Sequence, residues 1–94
     1  MTTVINLNNL DREHSANFVS SSVKEAVIKR DPILIVTDSK DGISIIREGD
    51  LADILTLMVL GLASTIDIYK IADIDGILNC FTENVKSALK NNGE

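Results

Sequence analysis

Four stretches of this chain carry a readable hydrophobic rhythm. Along residues 10–30, Ala16, Val19, Val23, Ala26 and Val27 recur at helical spacing and share one face, with Arg12 and Arg30 at its ends. Asn8 or Asn9 is the expected cap. Asp11 and Glu13 suit the positive end of the helix dipole, and Asp31-Pro32 provides the stop. The spacing predicts a helix over 10–30.

Two β-rich runs follow, "ILIVTD" (33–38) and "ISIIREG" (43–49). The link "SKDG" between them reads as the turn of a hairpin. Ile33, Leu34, Ile35 and Val36 do not alternate with polar residues, so both faces of that strand need cover. A two-stranded ribbon alone is marginal in water. The sheet is therefore expected to gain a strand, from "TTVIN" (2–6) or from another chain, or to be packed on both sides.

The third stretch, "GDLADILTLMVLGLAST" (49–65), predicts a helix capped by Asp50, with Gly49 as the joint. Asp53, Thr56, Ser64 and Asp67 form a narrow polar stripe, but Leu57 and Leu60 lie inside it. Leu51, Ile54, Leu55, Met58 and Leu62 fill the opposite face, which the hairpin and a neighbouring helix are expected to cover. "TIDIYKIAD" (65–73) reads equally as more helix, a bent turn or a short extended piece. The fourth rhythm is the cleanest. After Asp73 or Asp75, a helix carries Ile74, Ile77, Leu78, Phe81, Val85, Ala88 and Leu89 on one arc. The expectation is one α+β domain over 1–94, a small antiparallel hairpin or sheet packed with three helices in the order (β)–α–β–β–α–α.

Burying a leucine side chain stabilises by about 1.5–3 kcal/mol, so leaving Leu57 and Leu60 wet forfeits much of a small domain's margin. A homo-oligomer resolves this, with Leu57 and Leu60 at the interface and Thr56 and Gly61 permitting close approach. The competing expectation is a three-layer monomer whose last helix covers that stripe.

Composition adjusts this picture in three ways. Only two Phe and one Tyr occur in 94 residues, so any core is aliphatic. The single cysteine, Cys80, excludes an internal disulfide; it is expected to be a small, partly buried helix residue in a reduced, cytoplasmic setting. No basic, apolar leader is evident at the N-terminus. The 51–63 run is shorter than a membrane span and carries Asp53, so no membrane association is expected. The net charge of −5 lies wholly between Asp38 and Asp75, where eight acids face three bases. That segment disfavours binding of a nucleic-acid polymer, which is driven by phosphate neutralisation.

Candidate chemistry is sparse. His14, the only histidine, has no second histidine to share a metal and reads as a surface residue. Ser20-Ser21-Ser22 lacks a base and a nucleophile elbow, and reads as a small-residue packing surface. With Gly42 at the sixth position of a calcium loop, Asp41 and Glu48 fall correctly, but Thr37 stands where the loop needs Asp, and strands flank it instead of helices. No phosphate-binding glycine motif occurs. Asp50 and Asp53 are close, and are better explained as a cap and a solvated position. Neither a cofactor nor a metal is expected, and no catalytic role is assigned. Lys24, Lys29 and Arg30, joined by Arg47, can form a basic patch able to hold a small anionic ligand such as a nucleotide.

The chain is short, rich in Ile, Asn, Asp and Lys, and free of catalytic signatures. In that style it resembles the small accessory proteins of bacteriophages. The resemblance implies a non-enzymatic protein acting by binding in a bacterial cytoplasm. Such a protein would inhibit a host protein, sequester a signalling nucleotide between subunits, or serve as an assembly subunit.

Overall fold

The computed structural model describes residues 7–9 and 11–92. The architecture is α+β: three helices and a two-stranded antiparallel sheet, in the order α–β–β–α–α. The strand expected at 2–6 lies outside the described residues. The chain divides into two compact units, 1–64 and 65–94, at a point inside the second long helix.

The first described element is a 3-10 turn, Leu7–Asn9, followed by α1, Arg12–Lys29. Asp11 caps α1, accepting at Oδ2 the backbone N–H of His14 at 3.4 Å. The cap expected at Asn8 or Asn9 is therefore displaced by two or three residues. The segment "NNLD" offers several capping side chains, and Asn8 and Asn9 are taken up in the preceding turn. Arg30 ends the helix in the left-handed region, at φ 60° and ψ 33°. Its N–H donates to Val27 O, and that of Asp31 to Ala26 O, the paired bonds of a Schellman ending.

Strands β1, Ile33–Ser39, and β2, Gly42–Glu48, pair in the register Ile33↔Glu48 through Ser39↔Gly42. Lys40 and Asp41 form the turn. Gly42, at φ 125°, supplies the positive dihedral that returns the chain into the ladder. Ser39 Oγ accepts the Asp41 N–H and donates to Gly42 O, closing the turn locally.

Gly49, at φ 126°, turns the chain into α2, Leu51–Ile68. A Cβ at this glycine would stand 2.9 Å from that of Asp53, so both the dihedral and the space require glycine. Asp50 Oδ1 accepts the Asp53 N–H at 2.9 Å, and Asp53 Oδ2 accepts the Asp50 N–H at 3.3 Å. This reciprocal pair is a capping box.

In the second unit, the ambiguous 65–73 stretch resolves. The helix runs to Ile68, Lys70 takes φ 52°, and Ile71 N–H donates to Ile66 O, a second Schellman ending. Asp73 then caps α3, Ile74–Asn92, by accepting the Gly76 N–H at 3.0 Å. Gly76 has a local purpose, since a Cβ there would collide with the Asp73 carboxylate.

Candidate functional site: open apolar surfaces and a two-arginine cleft

Among the described residues, only Ser15 and Ile33 are buried. Ile33 is thus the sole buried apolar side chain, so the described chain forms no closed hydrophobic core.

The strand register sorts the hairpin into two faces, because directly paired residues share a side. Ile33, Ile35, Thr37, Ser44, Ile46 and Glu48 occupy one face; Leu34, Val36, Asp38, Ile43, Ile45 and Arg47 occupy the other. The first is partly covered, with Ile33 8% exposed and Ile35 half-buried. The second is open beyond Leu34, which is half-buried: Val36 is 60% exposed, Ile45 56% and Ile43 68%; on the first face Ile46 is exposed as well.

Helix α2 is open on most of its circumference. Leu60 is 60% exposed, while Leu57 is half-buried. Thr56 is exposed, with its hydroxyl donating to Ala52 O at 2.8 Å. Beyond its chain neighbours and the surrounding helix backbone, no atom lies within 4 Å of where a Cβ at Gly61 would stand. The four residues expected at an interface thus share α2, with Leu57 the most covered. The face expected to be covered is mostly not: Leu51, Leu55 and Met58 are exposed, and only Ile54 and Leu62 are half-buried. A helix whose narrow polar stripe is itself interrupted by Leu57 and Leu60 gives little polar boundary from which the covered side can be read. Asp53, expected to be solvated, is half-buried in the capping box.

By length and composition alone, α2 could cross a membrane, and none of it is buried within the chain. Its uncharged stretch between Asp53 and Asp67, residues 54–66, is about 20 Å long. The hydrocarbon core of a bilayer is about 30 Å thick.

The basic residues divide into two groups. Arg30 and Arg47 line one shallow cleft of about 420 Å³, together with Val27, Ile33, Ile46 and Glu48. Neither guanidinium has an ion-pair partner among the described residues. Lys24 lies back along α1, and Lys29 is engaged with Glu25 at 2.6 Å. That hydrogen bond and the attraction behind it hold the Glu25 carboxyl below its ordinary value and raise the Lys29 ammonium. The four-residue anion patch is therefore reduced to a pair, with Glu48 beside it.

The remaining candidates stay apart. His14 and Ser20-Ser21-Ser22 are exposed on α1. No group of three His, Cys, Asp or Glu side chains gathers among the described residues. Cys80 is exposed, not partly buried as expected, and its sulfur accepts from Asn84 Nδ2 at 3.4 Å. The cause is the open surface of α3, whose apolar residues Ile74, Leu78, Phe81, Val85 and Leu89 are also exposed.

No known protein family, no curated protein and no solved structure matches this chain.

Proposed function

We propose that this chain is a non-enzymatic binding protein that works as a homo-oligomer and engages another protein in a bacterial cytoplasm, in the manner of a phage-encoded inhibitor. One observation carries the association: Ile33 is the single buried apolar residue among those described, while the hairpin and α2 leave branched aliphatic side chains exposed. Each such side chain gains about 1.5–3 kcal/mol on leaving water. Even partial burial of several of them is comparable to a large share of the usual 5–15 kcal/mol stability of a whole domain. The polar ends of the 54–66 stretch, and its length, favour protein over lipid as the cover. Sedimentation velocity across a concentration series tests this. Wild type sediments as an oligomer at micromolar concentration, and Leu60→Glu shifts it toward monomer where α2 carries the contact. A wild type that stays monomeric at high micromolar concentration removes the association reading.

The Arg30–Arg47 cleft favours a second reading, a sponge for a small anionic ligand. A ligand bound by the native state raises its melting temperature by mass action. In a nucleotide panel, a shift that Arg30→Ala abolishes supports the sponge. A flat panel, with one host protein recovered by pull-down, supports the inhibitor.

A further inference from the structure

The open face of the hairpin is ordered in a way that selects its occupant. It has three levels along the strands: Leu34 beside Arg47, then Val36 beside Ile45, then Asp38 beside Ile43. One end carries a positive charge, the middle is purely aliphatic, and the other end carries a negative charge. Arg47 and Asp38 are separated by four residue steps, roughly 13 Å along the strands. They make no ion pair with each other, and neither has an ion-pair partner among the described residues, although Arg47 also borders the Arg30 cleft.

Such a face is complementary to itself when turned end for end. We infer that it is the seat of a second copy of this chain, docked face to face with its strands antiparallel to the first. The inference rests on the association reading and specifies its surface. A two-fold axis through the Val36–Ile45 level stacks the aliphatic middles and exchanges the two charged levels. Each Arg47 then stands at the level of the other copy's Asp38, one strand across. Its aliphatic stem covers Ile43 of the second copy while its guanidinium reaches the carboxylate. The symmetry makes this contact twice. Stacked sheets keep their strands within about 30° of alignment, which preserves this matching of levels. The other two-fold arrangement, with strands parallel, sets Asp38 near Asp38 and Arg47 near Arg47. Like charges across an interface suppress that arrangement.

The test is a charge exchange read by sedimentation velocity, with far-UV circular dichroism confirming that each variant folds. Asp38→Arg alone and Arg47→Asp alone each weaken self-association at least about tenfold, because each creates two like-charge contacts per dimer. Asp38→Arg combined with Arg47→Asp restores the wild-type size distribution. An independent readout places a cysteine on the face as Val36→Cys in a Cys80→Ser background. A short bismaleimide joins two copies through it and fails to do so through Ser44→Cys on the opposite face. If the wild type associates but the charge variants match it and the two cysteines crosslink equally, this face is not the interface and association proceeds elsewhere. If the wild type is monomeric, the association reading and this inference fall together.

Discussion

The two faces of the hairpin are made from the same strands and the same residue types, yet they have different fates. On one face Ile33 is buried and Ile35 half-buried while Ile46 is exposed; on the other Leu34 is half-buried and Val36, Ile43 and Ile45 stand in solvent, so each face is covered at the Pro32 end of β1 and the first more deeply. Strand propensity cannot separate them, since both are rich in branched aliphatics. Ile33 lies by the end of α1, sharing a cleft lining with Val27 and Arg30. Pro32 leads into β1 directly after the Arg30 ending of α1, and Gly49 leads out of β2. A one-residue slip in register would exchange the two faces, and with them which isoleucine is intramolecular and which awaits a partner.

The sharpest way to break this comparison is to truncate one residue from each face. Ile33→Ala removes the one buried apolar side chain and is expected to cost about 2–4 kcal/mol of folding stability. Val36→Ala, measured at high dilution where association is negligible, costs under about 1 kcal/mol, because its side chain is already in water. Urea denaturation of both variants at matched concentration reads the difference. Equal losses at high dilution would mean that the two faces are equivalently covered within one chain.

Gly49 controls the exit from the hairpin. Gly49→Ala places a Cβ at φ 126° and against Asp53, and is expected to destabilise by about 1–3 kcal/mol. Removing the capping box beside it is milder: Asp50→Ala costs about 0.5–2 kcal/mol, read as a lowered urea midpoint. If Gly49→Ala were silent, the exit turn would not constrain which face α2 leaves open.

The junctions also show how much of the molecule the sequence discloses. The hairpin was legible because two β-rich runs flank "SKDG", whose glycine does supply the positive φ. Helix α3 was legible because its apolar positions leave no second interpretation, although Asp73 and Asp75 competed as caps. The end of α2 was not legible. "TIDIYKIAD" contains neither Gly nor Pro, and the left-handed residue that stops the helix is Lys70, which nothing in its composition announces. Arg30 does the same at the end of α1, where Pro32 gave the stop away. The site was legible only in part. A predominantly aliphatic α2 signals a need for cover without saying on which side, so Leu57 proves half-buried while Leu55 and Met58 are exposed. Arg30 and Arg47 meet in one cleft because α1 ends where β1 begins, a proximity invisible in their spacing of seventeen residues.

Arg30 controls the entrance to the hairpin, and its substitution sharpens the comparison in the opposite direction. Arg30→Gly relieves a side chain held at φ 60° and is expected to stabilise by about 0.5–1 kcal/mol, seen as a raised urea midpoint. The same variant removes one guanidinium from the cleft. A gain in stability with loss of any nucleotide-induced thermal shift would separate the structural task of this residue from a binding one.

The smallest expected effect is electrostatic and lies outside both faces. Lys29 lowers the Glu25 carboxyl by hydrogen bonding and by charge, and is itself raised by Glu25. A lowered carboxyl contributes stability above its unfolded value and loses it as pH falls through the folded one. A raised ammonium contributes below its unfolded value and loses it as pH rises through the folded one. The pair therefore supports α1 across the neutral range and fails at both extremes. Because both side chains are well exposed, salt screens them and the contribution stays small. Glu25→Gln should flatten the acid limb of the melting-temperature profile slightly at low ionic strength and leave it unchanged at high salt. Association, if it resides in the open sheet face, should not respond to Glu25→Gln at any neutral pH. A change in oligomer size on this substitution would move the interface from the hairpin to α1.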